Sequence, residues 1–281
     1  MMRKVFINLD RSIDRLETFL RRNKHIDGLE RFSAIDGQGI NRQLLKEKGL
    51  LQEGIGVEYT DGALGCALSH KAQWECIISD GEGRTIIEDD VVFCKNFELE
   101  HQRLLSTLPE TWDIVLWGYP LCDSLFYDLL PGLPYSIEYN PFNQKSLMRN
   151  VATWHERVIS GNLHKLYGGY GLSCYSLSPW GAEKFLKFCF PIRPLPTKKR
   201  KKFWKKPVRK PFYYPALNLG LDCCTATLYP KVEAYVCVPP LVGQFNNLYR
   251  STIRPKGRSF QAKLKVKLFQ KFTEPEQECN W

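Results

Sequence analysis

No stretch of about 18 consecutive apolar residues occurs in the 281-residue chain, so the sequence predicts no membrane-spanning helix. No apolar signal-peptide core precedes residues 5–9 either, because Met1-Met2-Arg3-Lys4 runs straight into them. No paired CxxC exists among the ten cysteines, so a zinc-finger type of site is not expected. Cys223 and Cys224 are adjacent and would point to opposite faces of an extended segment. Cys76, Cys94 and Cys189 sit in apolar runs, which reads as reduced, buried thiols of a cytoplasmic protein. Acids are absent from residues 197–210, which hold nine Lys or Arg, and from 254–272, which hold seven. Taken from a total of 40, those bases leave 24 against 30 acids, so the net +10 belongs to two local segments.

What is present is ordinary for a globular chain: 43% hydrophobic and 25% charged residues. Residues 4–9 (KVFINL) read as a short buried strand. Asp10 or Ser12 then starts a helix on which Ile13, Leu16, Phe19 and Leu20 recur at helical spacing. Residues 31–35 predict a second strand, closed by an Asp36-Gly37 turn, and 40–60 stay open between helix and irregular chain. Residues 61–79 predict a helix, 84–87 (RTII) a buried strand ending at Glu88-Asp89-Asp90, and 91–93 a continuation. A helix over 97–108 and a strand over 112–117 follow. Residues 119–165, rich in Pro, Tyr and Asn, are expected to form a long loop with little regular structure. After a strand at 173–177, Ser178 and Pro179 suit the N-cap and first position of a helix. Six prolines in 191–215 predict a surface loop. This alternation implies an α/β protein with a largely parallel sheet, whose ligands bind beyond the carboxyl ends of the strands.

Three successive acids after an apolar strand repel one another unless a cation or hydrogen-bond donors neutralise them. If the segment is extended, Glu88 and Asp90 share a face and can address one hard divalent ion, with Asp89 pointing elsewhere. Asn8, Asp10, Arg11 and Arg15 end the first strand, where they suit a ribose or a phosphate, although Asp10 equally suits a helix cap. His70 shows no metal-binding or catalytic partner at helical spacing and reads first as structural. Gly62 and Gly65 could admit a diphosphate to a helix start. Asp222 is a lone acid in an apolar run, read either as a general base or as a carboxylate capping a helix from Cys223.

Several segments together resemble glycosyltransferase family 25: VFINLDRSIDRLETF at 5–19, RFSAIDG at 31–37, GALGCALSHKAQWECI at 62–77 and TIIEDDVVF at 85–93. WDIVLWG at 112–118 and GLSCYSLSPWGAEKFL at 171–186 continue the match, with weaker echoes at 219–229 and 239–254. The resemblance implies a GT-A fold over residues 1–253, with a Rossmann-like, mostly parallel sheet, and a separate basic tail over 254–281. It implies inverting transfer of a hexose, usually galactose, from a UDP-sugar to a glycan or glycolipid acceptor such as lipooligosaccharide, supported by Mn2+ or Mg2+. Carried over by position, Asn8, Asp10, Arg15 and Asp36 line the uridine side, and Ser69 and His70 lie beside the nucleotide. Glu88 and Asp90 stand for the acidic metal motif and Asp222 is the candidate base, while Asp89, from its own position, is expected at a ribose or a backbone turn. Gln244 and Ser251 belong to a closing loop.

The tail places Phe260, Leu264, Leu268 and Phe272 four residues apart beside Lys263, Lys267 and Lys271, a pattern suited to the anionic inner face of a membrane or to a helix packed on its own domain. Two rival functions are nucleic-acid binding through 197–210, where Phe203 and Trp204 offer stacking surfaces, and a catalytically inactive sugar-nucleotide-binding module. The nucleic-acid reading leaves the acidic strand end and the ordered motifs unexplained, so no nucleic-acid partner is expected.

Overall fold

The computed structural model of the chain describes residues 2–121, 124–138, 144–195 and 218–245. Ser251, the basic run 197–210 and the tail 254–281 lie outside the described residues. In chain order the elements begin with β1 (Arg3–Asn8), α1 (Ile13–Arg22), β2 (Leu29–Ser33), α2 (Arg42–Glu47) and α3 (Asp61–Asp80). Next come β3 (Arg84–Glu88), β4 (Val91–Phe93), α4 (Phe97–Leu105), β5 (Ile114–Gly118), β6 (Ser124–Leu130) and β7 (Leu133–Glu138). Then follow α5 (Gln144–Ala152), β8 (Asn162–Gly169), β9 (Cys174–Leu177), α6 (Pro179–Cys189), α7 (Leu221–Leu228), β10 (Ala234–Val238) and β11 (Val242–Gln244).

Among the described residues, nine strands form one sheet in the order β2-β1-β3-β9-β5-β10-β8-β6-β7, while β11 pairs with β4. β1 is parallel to β2 and β3, and β10 to β5. The remaining contacts are antiparallel, so the sheet is mixed and its parallel character is concentrated around β1. Alternation along each strand divides the core into two layers. Phe6, Ile87, Val115 and Trp117 pack on one face with Phe19 of α1 and Phe97 of α4. Ile7, Ile86, Leu116 and Tyr175 pack on the other with Trp74 of α3 and Phe185 of α6.

Residues 119–165 overturn the expectation of a long loop: they contain β6, β7, α5 and β8, and three of these are sheet strands. Two features disguise the strands. Asp128 is a buried acid within β6, whose Oδ2 accepts from Gly132 N at 3.1 Å and from the Tyr167 hydroxyl at 3.0 Å. Pro134 lies on β7, the outermost strand, where a missing N–H is tolerated. The second strand also sits earlier than expected, at Leu29–Ser33.

α3 starts at a Thr60 cap, whose hydroxyl accepts from Ala63 N at 3.1 Å, and stops at Gly81, φ +70°. Ala63, Ala67, His70, Trp74 and Ile77 form its buried stripe. Gly65 does not admit a ligand to this helix. Its space is filled by the turn after β2, because a Cβ there would stand 2.4 Å from the Ile35 carbonyl oxygen. Gly65→Ala is therefore expected to destabilise the protein by about 2 kcal/mol. The shift should appear in the urea midpoint at unchanged slope, and a midpoint at or above wild type would contradict this tight contact.

Candidate functional site

The register of the parallel strands gathers the chemistry at one edge. Asn8 lies opposite Ser33 and Ile7 opposite Glu88, so β1, β2 and β3 finish together. β9 runs the other way and begins at the same edge, with Cys174 opposite Ile87. The preceding residue, Ser173, accepts the Glu88 N–H through its carbonyl at 2.8 Å.

Glu88 ends β3, whereas Asp89 and Asp90 occupy the turn into β4, so the acidic run is not one extended segment. The turn sends Asp89 back into the protein. It accepts from Asn8 Nδ2 at 2.7 Å and is ion-paired to Arg15. Burial pushes its carboxyl above the ordinary value, opposed by Arg15 and Asn8.

Glu88 and Asp90 instead converge on the side chain of Gln244, at the end of β11. Gln244 Nε2 lies 3.4 Å from Glu88 Oε2 and 3.5 Å from Asp90 Oδ1. The adjacent Phe245 N–H donates to the Asp90 carbonyl at 2.8 Å and fixes β11 against the turn. Among the described residues, no group hydrogen-bonds the buried Gln244 Oε1. Burial and the Glu88 charge hold the Asp90 carboxyl well above its ordinary range. One amide group is a weak counterweight to two carboxylates. The two carboxylates and the unpartnered amide oxygen make a set of hard oxygen donors, which fits Mn2+ or Mg2+.

Asp222 lies in the first turn of α7, which begins at Leu221 rather than Cys223. Its Oδ1 accepts from Cys223 N at 2.9 Å and its Oδ2 from Gly171 N at 3.3 Å. The second contact ties α7 to the segment leading into β9, which also holds Glu88 through Ser173. Burial, then the charges of Glu88, Asp222, Asp90 and Asp89, push the thiol of Cys66 on α3 well up.

The rim is built from ion pairs. Asp10 is exposed, accepting from Arg31 Nη2 and the Ser33 hydroxyl, each at 2.6 Å, and these contacts hold its carboxyl low. Asp36 accepts from Arg11 Nε at 2.5 Å, Arg11 Nη2 at 3.2 Å and Gln38 N at 3.0 Å, and is likewise held low. Ser69 is buried. Its hydroxyl donates to the Gly65 carbonyl and accepts from Ile35 N, each at 2.8 Å, so it locks α3 to the turn after β2.

His70 is also buried, with Nδ1 2.8 Å from the Tyr175 hydroxyl and Nε2 3.7 Å from Glu88 Oε1. Trp74 Nε1 donates to the same Tyr175 oxygen at 2.8 Å. Tyr175→Phe would leave that indole N–H unpaired in the core and is expected to cost about 1–3 kcal/mol by urea denaturation; an unchanged midpoint would contradict the contact. Cys66 and Tyr175 were not singled out as site residues from sequence. For Cys66 a signal existed, since it precedes His70 by one helical turn and so lies on the same face of the helix. A separate cavity of about 340 Å³, lined mainly by Arg21, Arg22, Lys24, His25, Lys95 and His155, is basic and stands apart from the acids.

The family described as glycosyltransferase family 25 (LPS biosynthesis protein) matches residues 1–198. The chain belongs to glycosyltransferase family 25.

Individual relatives match shorter stretches. The mouse protein named inactive glycosyltransferase 25 family member 3 is 35% identical over 95 residues, 30% of this chain and 16% of its own length. An Acanthamoeba polyphaga mimivirus protein named for a glycosyltransferase is 30% identical over 120 residues, 41% of this chain and 36% of its own length. The mimivirus procollagen lysyl hydroxylase and glycosyltransferase is 30% identical over 116 residues, 37% of this chain and 12% of its own length. The chain thus spans well under half the length of these relatives. Among solved structures, A197 from STIV aligns over 92% of this chain and all of its own, at 14% identity and a TM-score of 0.33, a likeness too low to carry an argument.

Proposed function

We propose that this family 25 chain is an active glycosyltransferase that moves a hexose, most simply galactose, from a UDP-sugar to a hydroxyl of a glycan acceptor such as lipooligosaccharide. The observation that carries this reading is the approach of Glu88 and Asp90 to Gln244, beside its unpartnered Oε1. Glu88, Asp90 and Gln244 would hold Mn2+ or Mg2+. Such an ion supplies positive charge against the diphosphate that departs with UDP.

The remaining roles fall to the chain's own groups. Asp222, oriented by the Cys223 and Gly171 N–H groups, takes the proton from the acceptor hydroxyl at a carboxylate oxygen. The freed oxygen attacks the anomeric carbon from the face opposite the leaving group, which inverts it. Asn8, Arg15 and Asp89 hold the floor of the nucleotide side, Asp10 and Asp36 its rim, and Ser69 keeps α3 in place beneath His70. Positioning of the acceptor and electrostatic stabilisation of the diphosphate provide most of the acceleration. We read the sheet as a GT-A arrangement, and the 254–281 tail as a peripheral contact to the inner face of a membrane.

A donor screen tests the proposal: UDP-galactose, UDP-glucose and UDP-N-acetylhexosamines, each with and without Mn2+, read as UDP released in the presence of glycan acceptors. Manganese-dependent release from one donor is expected. Metal-independent background from every donor would favour the inactive module, a role consistent with the name of the mouse relative. For the tail, flotation with anionic vesicles at moderate salt should carry the protein up, and its absence would remove the membrane contact.

A further inference from the structure

Among the described residues, one group of three potential metal ligands comes together: Cys66, His70 and Glu88, with their donor atoms all within 4.8 Å of one another. The group has a structural cause. Cys66 and His70 are four residues apart on α3 and therefore share a face, and Glu88 at the end of β3 lies under that face. The 3.7 Å between His70 Nε2 and Glu88 Oε1 is too long for a hydrogen bond. It is close to the spacing of two ligands on one tetrahedral ion, roughly 3.4 Å for bonds of about 2.0–2.1 Å.

The far side of the imidazole is already held. His70 Nδ1 faces the Tyr175 hydroxyl at 2.8 Å, the kind of outer partner that orients a metal-binding histidine. Tyr175 also accepts from Trp74 Nε1. A phenol oxygen has two lone pairs, so it can take both the indole N–H and an Nδ1–H, which leaves Nε2 as the ligand nitrogen. The hydroxyl hydrogen then turns away from His70. The Glu88 carboxylate beside Cys66, with the negative charge of Asp222, Asp90 and Asp89 felt there as well, favours a cation at this point.

We propose that Cys66 Sγ, His70 Nε2 and a Glu88 carboxylate oxygen form a site for a thiolate- and imidazole-seeking divalent cation, Zn2+ being the natural occupant. Binding forms the sulfur–metal bond and releases the Cys66 proton to solvent. This site differs in chemistry from the oxygen donors of Glu88, Asp90 and Gln244, and it shares one of them. Ligand softness separates the two: carboxylate and amide oxygens suit Mn2+ or Mg2+, whereas sulfur and imidazole suit Zn2+. A zinc ion on Cys66 and His70 withdraws Glu88 from the oxygen set and so inhibits transfer. That consequence, unlike the site itself, rests on the proposed transferase function.

The test titrates Co2+, a spectroscopic substitute for Zn2+, into the full-length metal-free protein. Wild type is expected to develop a sulfur-to-cobalt charge-transfer absorption that saturates near one equivalent and is bleached by Zn2+. Cys66→Ser and Cys66→Ala, checked for folding by circular dichroism, should lose that absorption and bind at least ~10-fold more weakly. No such absorption in wild type, or the same absorption in both variants, overturns the site. A second arm measures Zn2+ inhibition of manganese-supported sugar transfer, expected to be at least ~10-fold stronger for wild type than for Cys66→Ser. Equal inhibition overturns the sharing of Glu88. Absorption in wild type with no transfer from any donor upholds the cation site and sinks the transferase reading alone.

Discussion

Asp90→Asn is expected to lower sugar transfer at least ~100-fold, the scale seen when one group aimed at transition-state charge is removed, and to raise the melting temperature of the metal-free protein. Both effects come from the same geometry. Asp90 and Glu88 face one amide, and burial together with the Glu88 charge pushes the Asp90 carboxyl well above its ordinary value. A carboxyl whose pKa rises on folding favours the folded state at low pH, below its unfolded pKa, and loses that contribution as pH climbs through the folded value. At neutral pH, above the unfolded value, the group therefore weighs against the folded state. Asparagine removes the charge with little change of shape. The stabilisation should be present near neutrality and fade on acidification, which thermal melts across a pH series would follow. Near-normal transfer by Asp90→Asn at saturating metal and donor would exclude Asp90 from the chemistry. An unchanged or lowered melting temperature would mean that the carboxylate is already well neutralised by groups of the protein.

Arg15→Met is expected to act in the opposite sense, destabilising the protein by about 3 kcal/mol at neutral pH. Asp89 is only 9% exposed, and its charge is held by Arg15 and by Asn8 Nδ2. Losing the guanidinium leaves a buried carboxylate with one neutral donor. Desolvation already raises this carboxyl, and without Arg15 it rises further. The penalty should be full where Asp89 is ionised and should shrink as pH falls through the raised folded value, because a protonated Asp89 no longer needs the cation. Urea midpoints near pH 7 and at about pH 5 would show the difference narrowing. A constant difference across that interval would mean that Arg15 contributes by packing alone.

The acidic cluster was legible in the sequence because local pattern announced it: three apolar or β-favouring residues, Thr85, Ile86 and Ile87, then three acids. The helix 61–79, its stop at Gly81, and the Ser178-Pro179 start of α6 were legible for the same local reason. Information about partners was not. β6 contains Asp128 and β7 contains Pro134, and each looks like a strand breaker until a tyrosine hydroxyl binds one oxygen of the first and a sheet edge accommodates the second. Gln244 was assigned to a closing loop by resemblance alone, whereas its place opposite Glu88 and Asp90 depends on β11 pairing with β4 across more than half the chain. The rim behaved likewise. Arg11 looked like a phosphate ligand and Arg31 like an ordinary strand residue, yet they are engaged by Asp36 and Asp10 respectively once the strands are in register. Ser69 and Gly65 read as nucleotide contacts, and the structure uses them to close α3 onto the turn after β2.

Co-crystals with UDP and Mn2+, measured at a wavelength where manganese scatters anomalously, address the acidic corner most directly. A peak bonded to Glu88 and Asp90 carboxylate oxygens, and bridged to the diphosphate, is the expected result. Ordered UDP with manganese elsewhere, or bound UDP whose phosphates turn away from those two residues, would contradict it.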